Sequence, residues 1–174
     1  MNHKDHVHLL YKGIPQAGGI WADFGAGRGA FTLALAELLG ETAIIYAIDK
    51  DKRALQEQAR LMSQQYPKVT VHYQTADFTL PLQLPLLDGI VAANTLHFLQ
   101  QKDQTLQRWR GYLRENGRLL IVEYNTDRGN YWVPHPFSYP TWQKLAAQNG
   151  FQHTQLLAKR PSRFLGEIYA AVSW

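Results

Sequence analysis

The stretch Asp23-Phe24-Gly25-Ala26-Gly27-Arg28-Gly29 follows the apolar run Ile20-Trp21-Ala22 and precedes Ala30-Phe31-Thr32-Leu33-Ala34-Leu35. Three glycines therefore fall where a buried strand gives way to an apolar helix. Glycine there lets the backbone turn sharply and approach a ligand closely, and the helix amino terminus offers N–H groups with partial positive charge. The spacing is G-x-G-x-G, so the third glycine comes one residue earlier than in the G-x-G-x-x-G dinucleotide fingerprint. Asp23, two positions before the first glycine, would repel a pyrophosphate but could accept hydrogen bonds from an ammonium group. The ligand at this loop is thus expected to carry a cation.

Outward from the loop, strands and helices alternate. The sequence predicts a helix from Ala30 to Leu39 stopped by Gly40, a strand from Ala43 to Ile48 and a polar helix from Asp51 to about Gln65. A third strand is expected at Val69 to Tyr73. Pro81 and Pro85 punctuate the loop into a fourth, Leu86 to Ala93. A helix with Trp109 and Leu113 on one side should end at Asn116-Gly117, and Arg118 to Tyr124 gives a fifth strand. Apolar runs alternating with helices mean a parallel sheet covered on both faces. After a helix near Thr141 to Asn149 come two strand-like runs, His153 to Ala158 and Phe164 to Val172. Their connection is too short for a parallel crossover, so they should pair antiparallel. The expected fold is an α/β three-layer Rossmann-like sandwich, a mostly parallel seven-stranded sheet with a carboxyl-terminal antiparallel hairpin.

The chain has 174 residues, 45% apolar and 18% charged, with 13 Gly and 8 Pro. This is the scale of one domain, residues 1–174, with 1–18 as an amino-terminal extension of no strong period. Disordered and low-complexity classes fall away. Without cysteine, disulfides, thiolate metal sites and cysteine nucleophiles are excluded. The formal charge of +4 is mild and the basic residues are scattered, which reads as a solvated surface more readily than a nucleic-acid groove. No apolar run approaches the roughly 18 to 20 residues that span a bilayer, and Met1 to His8 lacks a signal-peptide core, so a cytoplasmic location is expected. His3, His6 and His8 could suggest a metal site, but an unanchored terminus is the preferred reading and no metal is expected.

Two further acids have positions suited to a nucleoside. Asp49 ends the second strand, 22 residues beyond Gly27, where a carboxylate can take both ribose hydroxyls; the alternative is a helix N-cap, for which Asp51 competes. Asp77, in Thr75-Ala76-Asp77-Phe78, follows the third strand, where the carboxylate and ring could meet an adenine amine and face. It could also be a turn residue.

Together these residues resemble the class I S-adenosylmethionine-dependent methyltransferases, from about Ile20 to the carboxyl terminus. Asp23 and the glycines match that family's first motif, Asp49 its ribose acid, Ala76-Asp77-Phe78 its adenine segment and Asp88 to Leu99 its fourth-strand motif. Leu113 to Glu123 is similar to the turn into the fifth strand, although Glu115-Asn116-Gly117 departs from the family's proline-glycine-glycine. The resemblance implies S-adenosyl-L-methionine as cofactor, held by Asp23, Gly25, Ala26, Gly27, Gly29, Asp49, Lys50, Ala76, Asp77, Phe78 and Asn94.

Methyl transfer needs chiefly in-line alignment in a dry pocket, and a general base where the acceptor is acidic. Candidates sit at the carboxyl ends of the fourth and fifth strands, where open α/β sheets bind ligands. His97 is one, with a packed structural histidine as the alternative, and Glu123 and His135 are the others. Tyr124, Tyr131 and Trp132 are candidate acceptor contacts. The aromatic loop Tyr131 to Tyr139 either walls the acceptor pocket or packs against the sheet. Ala93-Asn94-Thr95-Leu96 stands where amine-methylating relatives carry Asn or Asp, two prolines and an aromatic, and the missing cysteine excludes covalent pyrimidine and thiolate arsenic chemistry. A small or medium-sized organic acceptor, or a protein side chain, is expected, with nucleic acid and membrane disfavoured. The rivals are a nicotinamide-dependent oxidoreductase, opposed by the glycine spacing and Asp23, and a non-catalytic S-adenosylmethionine-binding protein.

Overall fold

In the computed structural model, which describes residues 1–174, one sheet carries seven strands in the order β3-β2-β1-β4-β5-β7-β6. β1 (Ile20–Phe24), β2 (Ile44–Asp49), β3 (Thr70–Thr75), β4 (Leu87–Ala93) and β5 (Leu113–Tyr124) run parallel. β7 (Gly166–Ser173) pairs antiparallel with β5 and with β6 (Thr154–Ser162). The strand order reverses between β1 and β4, and this is where an open α/β sheet leaves a crevice at its carboxyl edge.

Each face of the sheet buries its own apolar cluster. On one side α2 (Ala30–Leu39) and α3 (Lys52–Gln65) bury Phe31, Leu35, Leu39 and Met62 against Trp21, Ile45, Val91 and Val122. On the other, α4 (Asp103–Tyr112) and α5 (Tyr139–Gln148) bury Trp109 and Trp142 with Phe24, Phe137 and Tyr169. β1 supplies both faces, Trp21 to one and Phe24 to the other, as a strand buried on both sides must. Asp51 caps α3, its Oδ1 accepting from the N–H groups of Arg53 and Ala54, so the cap role falls to it and not to Asp49.

The amino terminus departs from expectation. Residues His3–Leu10 form a helix, α1, continued by a short 3-10 turn at Tyr11–Gly13. Leu9 and Leu10 are fully buried in the α2 cluster, so the segment is anchored. Its polar composition hides the helix, but Asn2 and Asp5 form a reciprocal cap, Asn2 Oδ1 accepting from Asp5 N and Asp5 Oδ2 from Asn2 N. The three histidines also diverge, His3 to Glu37, His6 to the Phe31 ring and His8 to the Tyr11 ring.

A second difference lies at β5. α4 ends at Tyr112, and Leu113 already pairs with Leu87, after which pairing resumes with Arg118 opposite Gly89. Arg114 to Gly117 stand opposite the single residue Asp88 in this irregularity, pinned by an ion pair from Arg114 Nε to Asp88 Oδ1 at 3.1 Å. The Asn116-Gly117 turn chemistry is thus spent inside a bulged strand and does not end the helix.

Candidate active site

Parallel pairing of β1 with β2 carries the chain into the glycine loop with its backbone donors aimed at β2. Gly25 and Ala26 both donate to Ile48 O, and Gly27 N donates to Asp49 Oδ2 at 2.8 Å. Gly25, Gly27 and Gly29 have φ of 75, 52 and 89°, the left-handed region that side chains avoid. A Cβ on Gly25 would also lie 2.6 Å from Thr95 Oγ1, so the loop must pass this close to the end of β4. Gly29 abuts Gln58 on α3, a fully buried side chain whose amide has no partner.

Asp23 is buried beneath this loop and accepts from Thr32 Oγ1 at 2.6 Å. Burial pushes its carboxyl up to about 7, with the hydroxyl of Thr32 opposing and the charge of Asp49 assisting. Thr32, in the first turn of α2, is a partner of Asp23 that the sequence did not single out.

Asp49 Oδ1 accepts from Asp51 N while its Oδ2 takes Gly27, so each oxygen retains a lone-pair site for a ligand hydroxyl. Gly25, Asp49, Lys50, Phe78, Asn94 and Thr95 line one cavity of about 320 Å³ at the carboxyl edge of the sheet. Asn94 is the chain's one non-glycine residue with positive φ, 52°, and its Oδ1 is buried with no hydrogen-bond partner. An unpartnered acceptor and a strained backbone at the same cavity residue point to a ligand donor or cation there.

Asp77 is engaged within the protein: Oδ1 accepts from Thr79 N and Oγ1, and Oδ2 pairs with Lys50 Nζ at 2.8 Å. Its turn role is therefore real, and Lys50 and Thr79 line the cavity instead. Phe78 faces the cavity and packs near Phe24 and Trp109, and Ala76 N donates to Asp49 O.

His97 and Glu123 meet below the end of β4. Glu123 is completely buried; Oε2 accepts from His97 Nδ1 at 2.7 Å, and Oε1 from the N–H groups of Thr95, Leu96 and His97. The expectation that Glu123 faces the crevice is thus corrected: its oxygens are committed to the turn after β4, and it can act only through His97. His97 is itself 3% exposed, its ring 4.3 Å from that of Phe98 and 6.0 Å from that of Tyr124. Tyr124 lines a second cavity, which shares Asn94 with the first.

The aromatic loop is not brought to these cavities. Val133, Phe137 and Trp142 are buried in the core, whereas Tyr131 and Trp132 are 88% and 69% exposed and stack edge to face on each other. His135 lines a separate depression with Gln100, Asp127 and Lys144. Lys102, buried and overlooked in the sequence, holds this loop to the turn after β4, donating to Leu99 O and His135 O. Desolvation lowers its pKa, opposed by the charges of Glu123 and Asp103.

Comparison with known proteins matches residues 22–119, the segment from β1 to β5, to a family described as "Methyltransferase domain". The chain belongs to the methyltransferase-domain family. It is 25% identical over 158 residues to a reducing polyketide synthase of Penicillium, and 38% identical over 78 residues to ribosomal RNA small subunit methyltransferase H of Acinetobacter baumannii. These matches cover 78% and 42% of the chain but only 6% and 25% of those proteins. A solved S-adenosylmethionine-dependent methyltransferase from Aquifex aeolicus superposes with a TM-score of 0.74 over 97% of this chain and 88% of its own, at 18% identity.

S-adenosylmethionine is the cofactor this methyltransferase domain implies, and the residues present fit it. Side chains at Gly25 and Gly29 would clash with Thr95 and Gln58, Asp49 retains acceptor capacity beside the cavity, and Asn94, with its unpartnered Oδ1, lines both cavities. No helix of the domain is long and apolar enough to cross a membrane.

Proposed function

We propose that the protein transfers a methyl group to a small or medium-sized organic acceptor, or a protein side chain, through an acidic O–H or C–H whose proton passes to His97. When bound, S-adenosylmethionine supplies an electrophilic methyl on a sulfonium, needing no activation beyond alignment. The chain's work is then to bind, exclude water and manage one proton.

The observation that carries this reading is the buried bond from His97 Nδ1 to Glu123 Oε2. A neutral imidazole that donates from Nδ1 to this carboxylate has Nε2 as its acceptor nitrogen, the atom through which it would take up a proton. Glu123, held by three backbone N–H groups, fixes the imidazole orientation and stabilises the cation that forms. Glu123 is a positioning residue. Asp23, Asp49 and the glycine loop bind the cofactor, with Lys50, Ala76, Asp77 and Phe78 shaping its nucleoside end.

A nucleic-acid acceptor is disfavoured by the mild formal charge of +4 and by basic residues that are scattered along the chain. Of the two curated relatives, the one named for polyketide synthesis is matched over 78% of this chain and the one named for ribosomal RNA over 42%, so the broader match supports a small organic acceptor. The test is transfer of labelled methyl from S-adenosylmethionine to panels of small phenols and carbon acids, proteins and RNA. Label in a small molecule or protein supports the proposal. Label in RNA alone, or cofactor binding with no transfer, contradicts it.

A further inference from the structure

The cavity of about 560 Å³ beside the cofactor cavity contains an uncommitted cation, which bears on the chemistry of the acceptor. Its apolar walls are Tyr124, Phe164 and Ile168, and Asn94 lines it as well as the cofactor cavity. The rings of Tyr124 and Phe164 stand 5.9 Å apart. On the outer side are Arg160 and Arg163, contributed by the end of β6 and the turn into β7. Arg160 is neutralised by Asp5 of α1, its Nη2 lying 2.7 Å from Asp5 Oδ1. Arg163 and the amino-terminal Met1 line the same cavity, and neither enters any of the chain's eight ion pairs; of the two, Arg163 carries the guanidinium fork.

We propose that this cavity is the acceptor site and that it selects an acceptor with an apolar or aromatic body and an anionic group, carboxylate or phosphate, paired with Arg163. This deepens the proposed function and rests on it. The arrangement has two ends: Asn94 at the cofactor cavity, where the reacting atom must arrive, and a guanidinium on the outer side, where a charged tail can lie without leaving water. A guanidinium presents a planar fork of donors that matches either anion bidentately. Burial and the nearby Glu123 charge raise the pKa of Tyr124, so its phenol stays neutral and remains a hydrogen-bond donor at the inner end. The pairing stays solvent-exposed at Arg163, which limits its strength to a few-fold to about tenfold in affinity.

The experiment uses the full chain and first measures S-adenosylhomocysteine binding by calorimetry. With the protein saturated, phenylacetate, phenyl phosphate and neutral 2-phenylethanol are titrated by ligand-detected NMR. At least one anion is expected to bind roughly threefold to tenfold more tightly than the alcohol. R163Q should lower that preference, and R163K should retain more of it than R163Q does. Tighter phenylacetate assigns a carboxylate acceptor, and tighter phenyl phosphate a phosphorylated one. Binding of the alcohol equal to that of both anions, no anion binding at millimolar concentration, or an unchanged preference in R163Q would overturn the inference while leaving the methyltransferase reading intact. Absence of S-adenosylhomocysteine binding would overturn both.

Discussion

His97 and Glu123, 26 residues apart in sequence, are joined by a 2.7 Å hydrogen bond in an interior where Glu123 has no solvent exposure. β4 and β5 are adjacent parallel strands, so the turn after one and the last residues of the other meet at the same edge of the sheet. One carboxylate oxygen then caps the turn and the other orients the imidazole.

That division of labour separates two variants. H97Q should lower turnover by about 10²- to 10⁴-fold on an acidic acceptor while leaving cofactor affinity within a factor of a few. E123Q should lower turnover too, and in addition reduce stability by about 1–3 kcal/mol, because a buried amide cannot satisfy all four N–H donors. Steady-state kinetics with parallel urea denaturation reads both, and full activity in H97Q would remove it as the base.

Asp23 sets a pH dependence of opposite sign for stability and for binding. Its folded pKa, raised to about 7 by burial, lies above the unfolded value, so its contribution to stability is present below the unfolded pKa and is lost as pH rises toward 7. Cofactor binding through an ammonium group needs the ionised form. Affinity should therefore improve about tenfold between pH 6 and pH 8. D23N should lose both trends, and calorimetry and denaturation at these pH values check them.

Two glycines with almost the same φ separate a close approach from backbone strain alone. Gly25 and Gly40 have φ of 75 and 74°, but a Cβ at Gly25 meets Thr95 whereas at Gly40 it meets nothing within 4 Å. G40A, at φ 74° and ψ −171°, should destabilise by about 1–3 kcal/mol from strain. G25A should cost more and also weaken cofactor binding. Equal melting temperatures for the two variants would contradict the account.

The first helix is structural. L10A removes a fully buried side chain shared with the α2 cluster, and should cost about 2–5 kcal/mol by urea denaturation. A loss under about 0.5 kcal/mol, the surface range, would mean that α1 is not docked in solution.

The parallel sheet, the hairpin and the glycine loop were legible because periodicity, turn residues and loop length are local signals. The positions of Asp49 and Asn94 at the carboxyl edge of the sheet were legible because strand ends can be counted. What escaped depends on packing: α1 is polar in composition and held by two leucines, and Glu123 ends an apolar strand on its buried face. The aromatic loop misled for the same reason, since sequence cannot tell which rings of Tyr131 to Tyr139 turn inward.

The central claim is that the glycine loop and Asp49 hold S-adenosylmethionine. Titration calorimetry of wild-type protein and D49A with S-adenosylhomocysteine tests it most directly, with a nicotinamide dinucleotide as competitor. The account predicts one site per chain, weakened in D49A by about 1.5–3 kcal/mol, and no dinucleotide binding. Dinucleotide binding without S-adenosylhomocysteine binding, or unchanged affinity in D49A, would contradict it.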